Sequence, residues 1–178
     1  FFFFKQKTAY EIKECDWSSD VCSSDLGSIA LVHEMLSTNA QEMVEFDEVA
    51  DRLIAAVKDV STLRSGISLQ RSGKFGALRP EVATPLALIL TELIQNAYEH
   101  GLSTTGTSLT ISVLRKGDLL TLDVSDDGIG LPSDFDINAS ESLGLQIVKT
   151  LATNELGGRL DVQRGKSGGT SIKVEIYC

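Results

Sequence analysis

A two-layer sandwich of α and β structure, with helices covering one face of a mixed sheet, is the fold class this sequence predicts, and three observations carry that prediction. The 178 residues amount to about one domain. With 42% hydrophobic residues, 23% charged residues and only 3 prolines, the composition is that of a globular chain, since disordered chains bury too little apolar surface. The periodic segments then alternate between helix and strand, without the even strand–helix–strand spacing of an all-parallel sheet.

Charge and composition exclude several function classes. With 16 Lys and Arg against 25 Asp and Glu, the formal charge is −9, which argues against nucleic acid as the main partner, because phosphate backbones are gripped by fields of basic side chains. Any anionic ligand must therefore be held by a local site or by a metal. Cys15, Cys22 and Cys178 show neither zinc-type spacing nor a disulfide framework, so a reducing, cytoplasmic setting is expected. No apolar stretch approaches the roughly 18 to 20 residues needed to span a bilayer; the longest candidate is the mixed run 85–94.

The first 26 residues do not match the rest. They hold six of the eleven aromatics (Phe1 to Phe4, Tyr10 and Trp17) and two of the three cysteines, yet show no helical or strand period. KQKTAYEI followed by DWSSDVCSSDL resembles the conceptual translation of a short-read sequencing adapter, so residues 1–26 are expected to be foreign and disordered. Without their three lysines and five acidic residues, the other 152 residues carry a net charge of −7. The authentic sequence is then expected to begin near Gly27, inside a longer gene, with 27–43 closing one unit and 44–178 forming the next.

Taken in order, Ile29, Ala30, Val32, Met35 and Leu36 recur at helical spacing before the polar break Ser37-Thr38-Asn39. Phe46, Val49, Leu53, Ile54 and Val57 mark a second helix, opened by Asp47 and Glu48 where the helix dipole favours negative charge. Residues 67–70 alternate as a short strand. Over 79–100, Val82, Leu86, Leu90, Leu93 and Ala97 form one apolar stripe, with Gly101 as the expected C-terminal cap. Residues 108–114 and 119–124 read as strands joined by Arg115-Lys116-Gly117-Asp118, a tight turn in which Gly can take positive φ. A loop rich in Gly and Asp runs to about 141. Leu143, Leu145, Ile147, Val148 and Leu151 mark a further helix, and 160–163 with 170–176 form a closing hairpin.

Four clusters can carry chemistry. Glu92, Asn96 and Glu99 follow i, i+4, i+7 spacing and share the face of the helix away from the Leu stripe. The Asn96 carbonyl oxygen suits Mg²⁺ when phosphates supply the anionic ligands, and Glu92 can accept a proton. Asp126-Asp127-Gly128-Ile129-Gly130 places carboxylates at a strand end. An ionised Asp126 only accepts hydrogen bonds, so it can take adenine's amine but not guanine's carbonyl, while Gly128 and Gly130 let the backbone approach a ligand. Gly144 opens a helix whose free N–H groups favour phosphate, with Lys149 adding charge. Gly168-Gly169-Thr170 starts the last strand with a hydroxyl that can reach a base directly or through water. Lys166-Ser167 lacks the Gly spacing of a P-loop and joins two strands.

The order of these clusters, from about residue 44 to the C-terminus, resembles the ATP site shared by histidine kinases, type II topoisomerases, ninety-kilodalton heat-shock chaperones and mismatch-repair ATPases. TELIQNAYEHG, DDGIGLP, SLGLQIVKTL, ELGG and GGT resemble most the catalytic domain of bacterial sensor histidine kinases of the cytosolic two-component type common in actinobacteria. That resemblance implies a Bergerat-type sheet, ATP and Mg²⁺ as cofactors, Glu92 and Asn96 as catalytic residues, and Asn96 as the metal ligand. It further implies cofactor contacts from His100, Asp126, Gly128 and Gly130, from Leu143, Gly144, Leu145 and Lys149, and from Gly169 and Thr170. It implies a response regulator as partner and a homodimer in the full-length protein.

SIALVHEMLS at 28–37 is similar to the second helix of that family's dimerisation hairpin, so His33 is not expected to be the phosphate acceptor, which lies in the first. Many such kinases carry Lys where this chain has Glu99, which leaves phosphate neutralisation to Mg²⁺, His100 or Lys149. The loop 131–141, in the position of a lid over ATP, is short, with Phe135 as its single aromatic. Two rivals share the motifs: an anti-sigma factor serine kinase, against which the hairpin-like 28–37 speaks, and a nucleotide-binding module without catalysis.

Deleting residues 1–26 is expected to leave folding and nucleotide binding unchanged. A melting temperature lowered by more than about 4 °C, near 1 kcal/mol for a domain of this size, would show instead that the segment packs.

Overall fold

The computed structural model describes residues 43–60, 66–132, 135, 137, 142–165 and 168–178. The leader 1–26, residues 27–42 with His33, Lys166-Ser167 and most of the loop 131–141 lie outside the described residues. The elements run β1 (Val44–Glu45), α1 (Phe46–Val60), β2 (Ser68–Ser72), β3 (Ala77–Leu78), α2 (Pro80–Asn96), β4 (Ser108–Lys116), β5 (Leu119–Asp126), α3 (Leu143–Thr150), β6 (Arg159–Arg164) and β7 (Thr170–Tyr177). A five-stranded sheet in the order β2-β4-β5-β7-β6 is mixed: β2 lies parallel to β4, and every other pair is antiparallel.

Strict alternation along the strands makes the sheet one-sided. Ile111, Val124, Ile172 and Val162 lie side by side across four strands, and Val113, Leu122, Val174 and Leu160 form the next row. These rows join the same core as α1, α2 and α3. The opposite face carries Asp123, Lys173 and Asp161 in one row and Thr121, Glu175 and Arg159 in another, charges that alternate in sign across neighbouring strands. Helices therefore cover a single face, as the pattern predicts. The β4–β5 connection is tighter than the expected four residues, because β4 runs on through Lys116 and Gly117 turns at φ +61.

Two short elements escape the periodicity argument. β1 and β3 pair antiparallel, Val44 with Leu78 and Glu45 with Ala77, and two residues are too few to show a period of two. They bring α1 beside the β2–β3 loop. There Asp47 accepts from Arg71 at 2.7 Å, from the Phe75 N–H at 3.2 Å and from the Gly76 N–H at 2.9 Å, while Arg71 also grips Asp51 at 2.9 Å. Arg115 donates to the Phe75 carbonyl at 2.6 Å, and the Phe75 ring meets Phe46 edge-on at 4.8 Å. β2 itself is displaced from the expected 67–70 to Ser68–Ser72, since its pairing with β4 sets its ends rather than its own weak alternation.

The end of α2 corrects the sequence reading of Gly101. A left-handed cap requires positive φ, and Gly101 is not among the glycines that have it. After Asn96 the helix widens instead into a π-helical turn, Ala97–Gly101, closed by the Leu102 N–H on the Ala97 carbonyl at 2.7 Å. The next helix widens in the same way, over Leu151–Glu155 after α3. Both lie where 3.6-residue periodicity still looks intact in the sequence.

Burial acts to raise the Asp47 carboxyl, but the N–H groups of Gly76 and Phe75 and the Arg71 guanidinium outweigh it and hold the group below its ordinary 3.8. A carboxyl lower in the folded chain than in the unfolded one contributes fully above the unfolded value and is lost as the pH falls through the folded one. Asp47→Asn is expected to cost about 1 to 2 kcal/mol at pH 7 and to flatten the fall in stability below about pH 4, as thermal melts across pH would register.

Candidate functional site

The end of α2, the end of β5, the start of α3 and the start of β7 converge on one cavity of about 80 Å³. Leu93, Ala97, Val124, Leu145 and Ile172 give it an apolar lining, and Asn96, His100, Asp126 and Thr170 supply the polar groups. An apolar slot with few convergent polar groups is the usual form of a small-molecule site.

Asp126 is the anchor. It is only 6% exposed and ends β5 on the inner face, paired with Leu109. Its Oδ1 accepts the Gly128 N–H at 2.8 Å, which leaves Oδ2 with no protein donor among the described residues. Three glycines make room for this carboxylate. A Cβ on Gly101 would stand 2.7 Å from the Asp126 Cγ, one on Gly169 would strike Asp126 Oδ1 and its carbonyl oxygen, and one on Gly128 would strike the Gly101 carbonyl. That carbonyl accepts the Ile129 N–H at 2.9 Å, locking the loop after β5 onto the π turn. Gly130 takes φ +75 against the Gly168 carbonyl, a conformation and an approach that no side chain permits.

Neighbouring carboxylates have opposite duties. Asp127 Oδ1 accepts the N–H groups of Thr107 and Ser108, both at 2.8 Å. The Ser108 N–H, ahead of the opposing effect of burial and with help from Thr107, holds the Asp127 carboxyl below the ordinary range. Asp127 therefore pins the start of β4, and Asp126 faces the cavity. Nothing in the Asp-Asp dipeptide distinguishes them; strand parity does.

At the other end, Glu92 and Asn96 are one turn apart on α2 and face the start of α3. A Cβ on Gly144 would stand 2.7 Å from Glu92 Oε2 and 3.3 Å from Asn96 Nδ2. The Asn96 Nδ2 is buried without a hydrogen-bond partner, a state that costs about 1 to 3 kcal/mol until something accepts from it. Among the described residues no group of three or more His, Cys, Asp or Glu can hold a metal ion. A divalent cation beside the Asn96 carbonyl oxygen would take the rest of its oxygen shell from a ligand or from water.

Most of the residues singled out from the sequence gather here. Asn96, His100, Asp126, Leu145 and Thr170 line the cavity; outside that lining, Gly128 and Gly169 pack against Asp126, Glu92 and Gly144 meet beside Asn96, and Gly130 lies against the Gly168 carbonyl. Two stand apart: Leu143 is 61% exposed at the first turn of α3, and Lys149 lies in its last turn. Glu99 is exposed outside the lining, because the π turn breaks the 3.6-residue register after Asn96. Gly101 has a role that its sequence position after a helix did not reveal; only its closeness to Asp126, 25 residues on, does.

Residues 81–177 match the family model described as histidine kinase-, DNA gyrase B-, and HSP90-like ATPase. The sensor histidine kinase PdtaS of Mycobacterium tuberculosis is 40% identical over 153 residues, 85% of this chain and 30% of that protein. PdtaS of Mycolicibacterium smegmatis is 42% identical over 151 residues, 84% of this chain and 30% of that one. This chain thus spans about 30% of the length of those relatives. Among solved structures, the histidine kinase domain of the Erythrobacter litoralis EL346 blue-light activated histidine kinase shares the fold with a TM-score of 0.79 at 22% identity, covering 95% of this chain and 80% of that one.

Gly101→Ala is expected to disable the site, since its Cβ would meet a buried carboxylate on a fixed strand. Overpacking of this kind costs about 1 to 3 kcal/mol, and a nucleotide titration alongside a melt measures both effects.

Proposed function

The chain belongs to the histidine kinase-, DNA gyrase B- and HSP90-like ATPase family, and on that premise we propose that it is the ATP-binding catalytic domain of a two-component sensor histidine kinase. It moves the γ-phosphate of ATP to a histidine on a dimerisation hairpin, whose last helix corresponds to residues 27–43. The observation that carries this reading is the opposed pair at the two ends of one apolar slot: a buried, acceptor-only Asp126 at one end and the unsatisfied Asn96 amide beside the start of α3 at the other. The names of the relatives, sensor histidine kinases at 40 and 42% identity, support it.

Each group then has a task. Asp126 Oδ2 accepts the exocyclic amine of adenine and would face the carbonyl of guanine, a mismatch of two acceptors. Thr170 bonds the base from the side, and the apolar walls exclude water from the ring. The phosphates lie toward Asn96, His100 and the N–H groups at the start of α3, with Gly128, Gly130 and Gly144 keeping their path free of side chains. Mg²⁺, held by the Asn96 oxygen together with phosphate oxygens, would neutralise charge on the phosphates. The acceptor imidazole nitrogen forms its bond to the γ-phosphorus as the bond to the β–γ bridging oxygen breaks; Glu92 takes the imidazole proton and ADP leaves. The protein mainly positions the reactants.

In the full-length protein this unit works as a homodimer in the cytoplasm, and a response regulator receives the phosphoryl group. Among the described residues no helix is long and apolar enough to cross a membrane.

Calorimetry should find Mg·ATP bound and GTP bound far more weakly, with Asp126→Asn costing about 1 to 3 kcal/mol; equal affinities for the two nucleotides would end the adenine assignment. Given γ-labelled ATP, the chain should leave itself unlabelled and label a separately supplied hairpin. That label should be acid-labile and vanish in Asn96→Ala. Acid-stable label would favour the serine kinase, binding without transfer would favour the non-catalytic module, and self-labelling lost in His33→Gln would overturn the placement of the acceptor.

A further inference from the structure

Glu92 lies closer to α3 than a proton acceptor for a bound substrate needs to be. Its Oε2 stands 2.7 Å from where a Gly144 Cβ would be, the residue is half-buried, and Gly144 is the second residue of α3. The first N–H groups of a helix have no partner within it and carry its positive end. No acidic residue occupies the first turn of α3. In α1, by contrast, Asp47 and Glu48 fill that place. The first turn of α3 carries no acidic residue, and a carboxylate from α2 stands beside it.

We propose that Glu92 is a positioning residue as well as the proton acceptor: its carboxylate braces the first turn of α3 against α2, and a Cβ at Gly144 would have to displace it. The second role rests on the site as read above, since it puts the α3 start, where phosphate is bound, under the control of the group beside the transferred phosphate. The brace itself needs no nucleotide.

The test is hydrogen exchange of the amides of residues 143–147 in the full chain without nucleotide. Glu92→Ala should speed it about three- to tenfold, the range expected when a partly buried carboxylate leaves a helix start, with β5 and α1 unchanged. Glu92→Gln, which keeps an acceptor oxygen, should restore part of the protection. Gly144→Ala gives the decisive sign. Ala stabilises a helix relative to Gly, yet here it should speed exchange in the wild-type background by pushing the carboxylate aside, and slow it once Glu92 is Ala. Protection by Gly144→Ala in both backgrounds, or no change in Glu92→Ala, would overturn the brace. A chain that failed to bind ATP in the calorimeter would overturn the functional reading and leave this result standing, since the exchange is read without nucleotide.

Discussion

A carboxylate taken out of water at the end of a strand is costly unless donors and space are arranged around it, and Asp126 imposes that condition on this fold. Its inward direction follows from the alternation that buries Leu120, Leu122 and Val124 along β5. Once it points inward, three segments distant in sequence must meet it with bare backbone. Gly101 closes from the end of α2, Gly128 turns the chain immediately after it, and Gly169 enters from the start of β7. A Cβ at any of them collides with Asp126 or with the Gly101 carbonyl. The glycines scattered over 69 residues are one device.

The π turn after α2 belongs to the same device. A regular helix continued past Asn96 would keep its carbonyls engaged along the axis, whereas the widened turn leaves the Gly101 carbonyl to accept from Ile129. One helix end thereby holds the loop after β5, which carries Gly128 and Gly130, and presents both Asn96 and His100 to the cavity. Such single-turn widenings tend to occur at functional sites because they re-aim side chains without ending the helix. The polar network at α1, with Asp47, Asp51 and Arg71, lies apart from the site and acts through scaffolding: it ties α1 to the β2–β3 loop, and α1 supports α2 from behind.

The two ends of the slot ask for different chemistry, and the structure separates them along α2. Around Asp126 the environment is apolar and fixed by strands, suited to reading one flat ring. Around Glu92 and Asn96 it is made by two helices whose approach depends on Gly144. Glu92 and Asn96 both lie beside Gly144 where the two helices meet, and the Asn96 amide is left there without a partner.

The sequence by itself determined the alternation of helices and strands and the one-sided sheet, because those rest on local periods, and its short motifs singled out several of the residues that come together around the cavity. Asn96, Asp126, Gly144 and Thr170 were legible in that way. The tertiary structure alone decided that Gly101 is a contact rather than a cap, that Glu99 leaves the row begun by Glu92 and Asn96, and that β1 pairs with β3. Each of these depends on what a residue meets far along the chain or on a one-residue change of helical register, and neither a two-residue strand nor a π turn leaves a trace in the local pattern of apolar and polar residues.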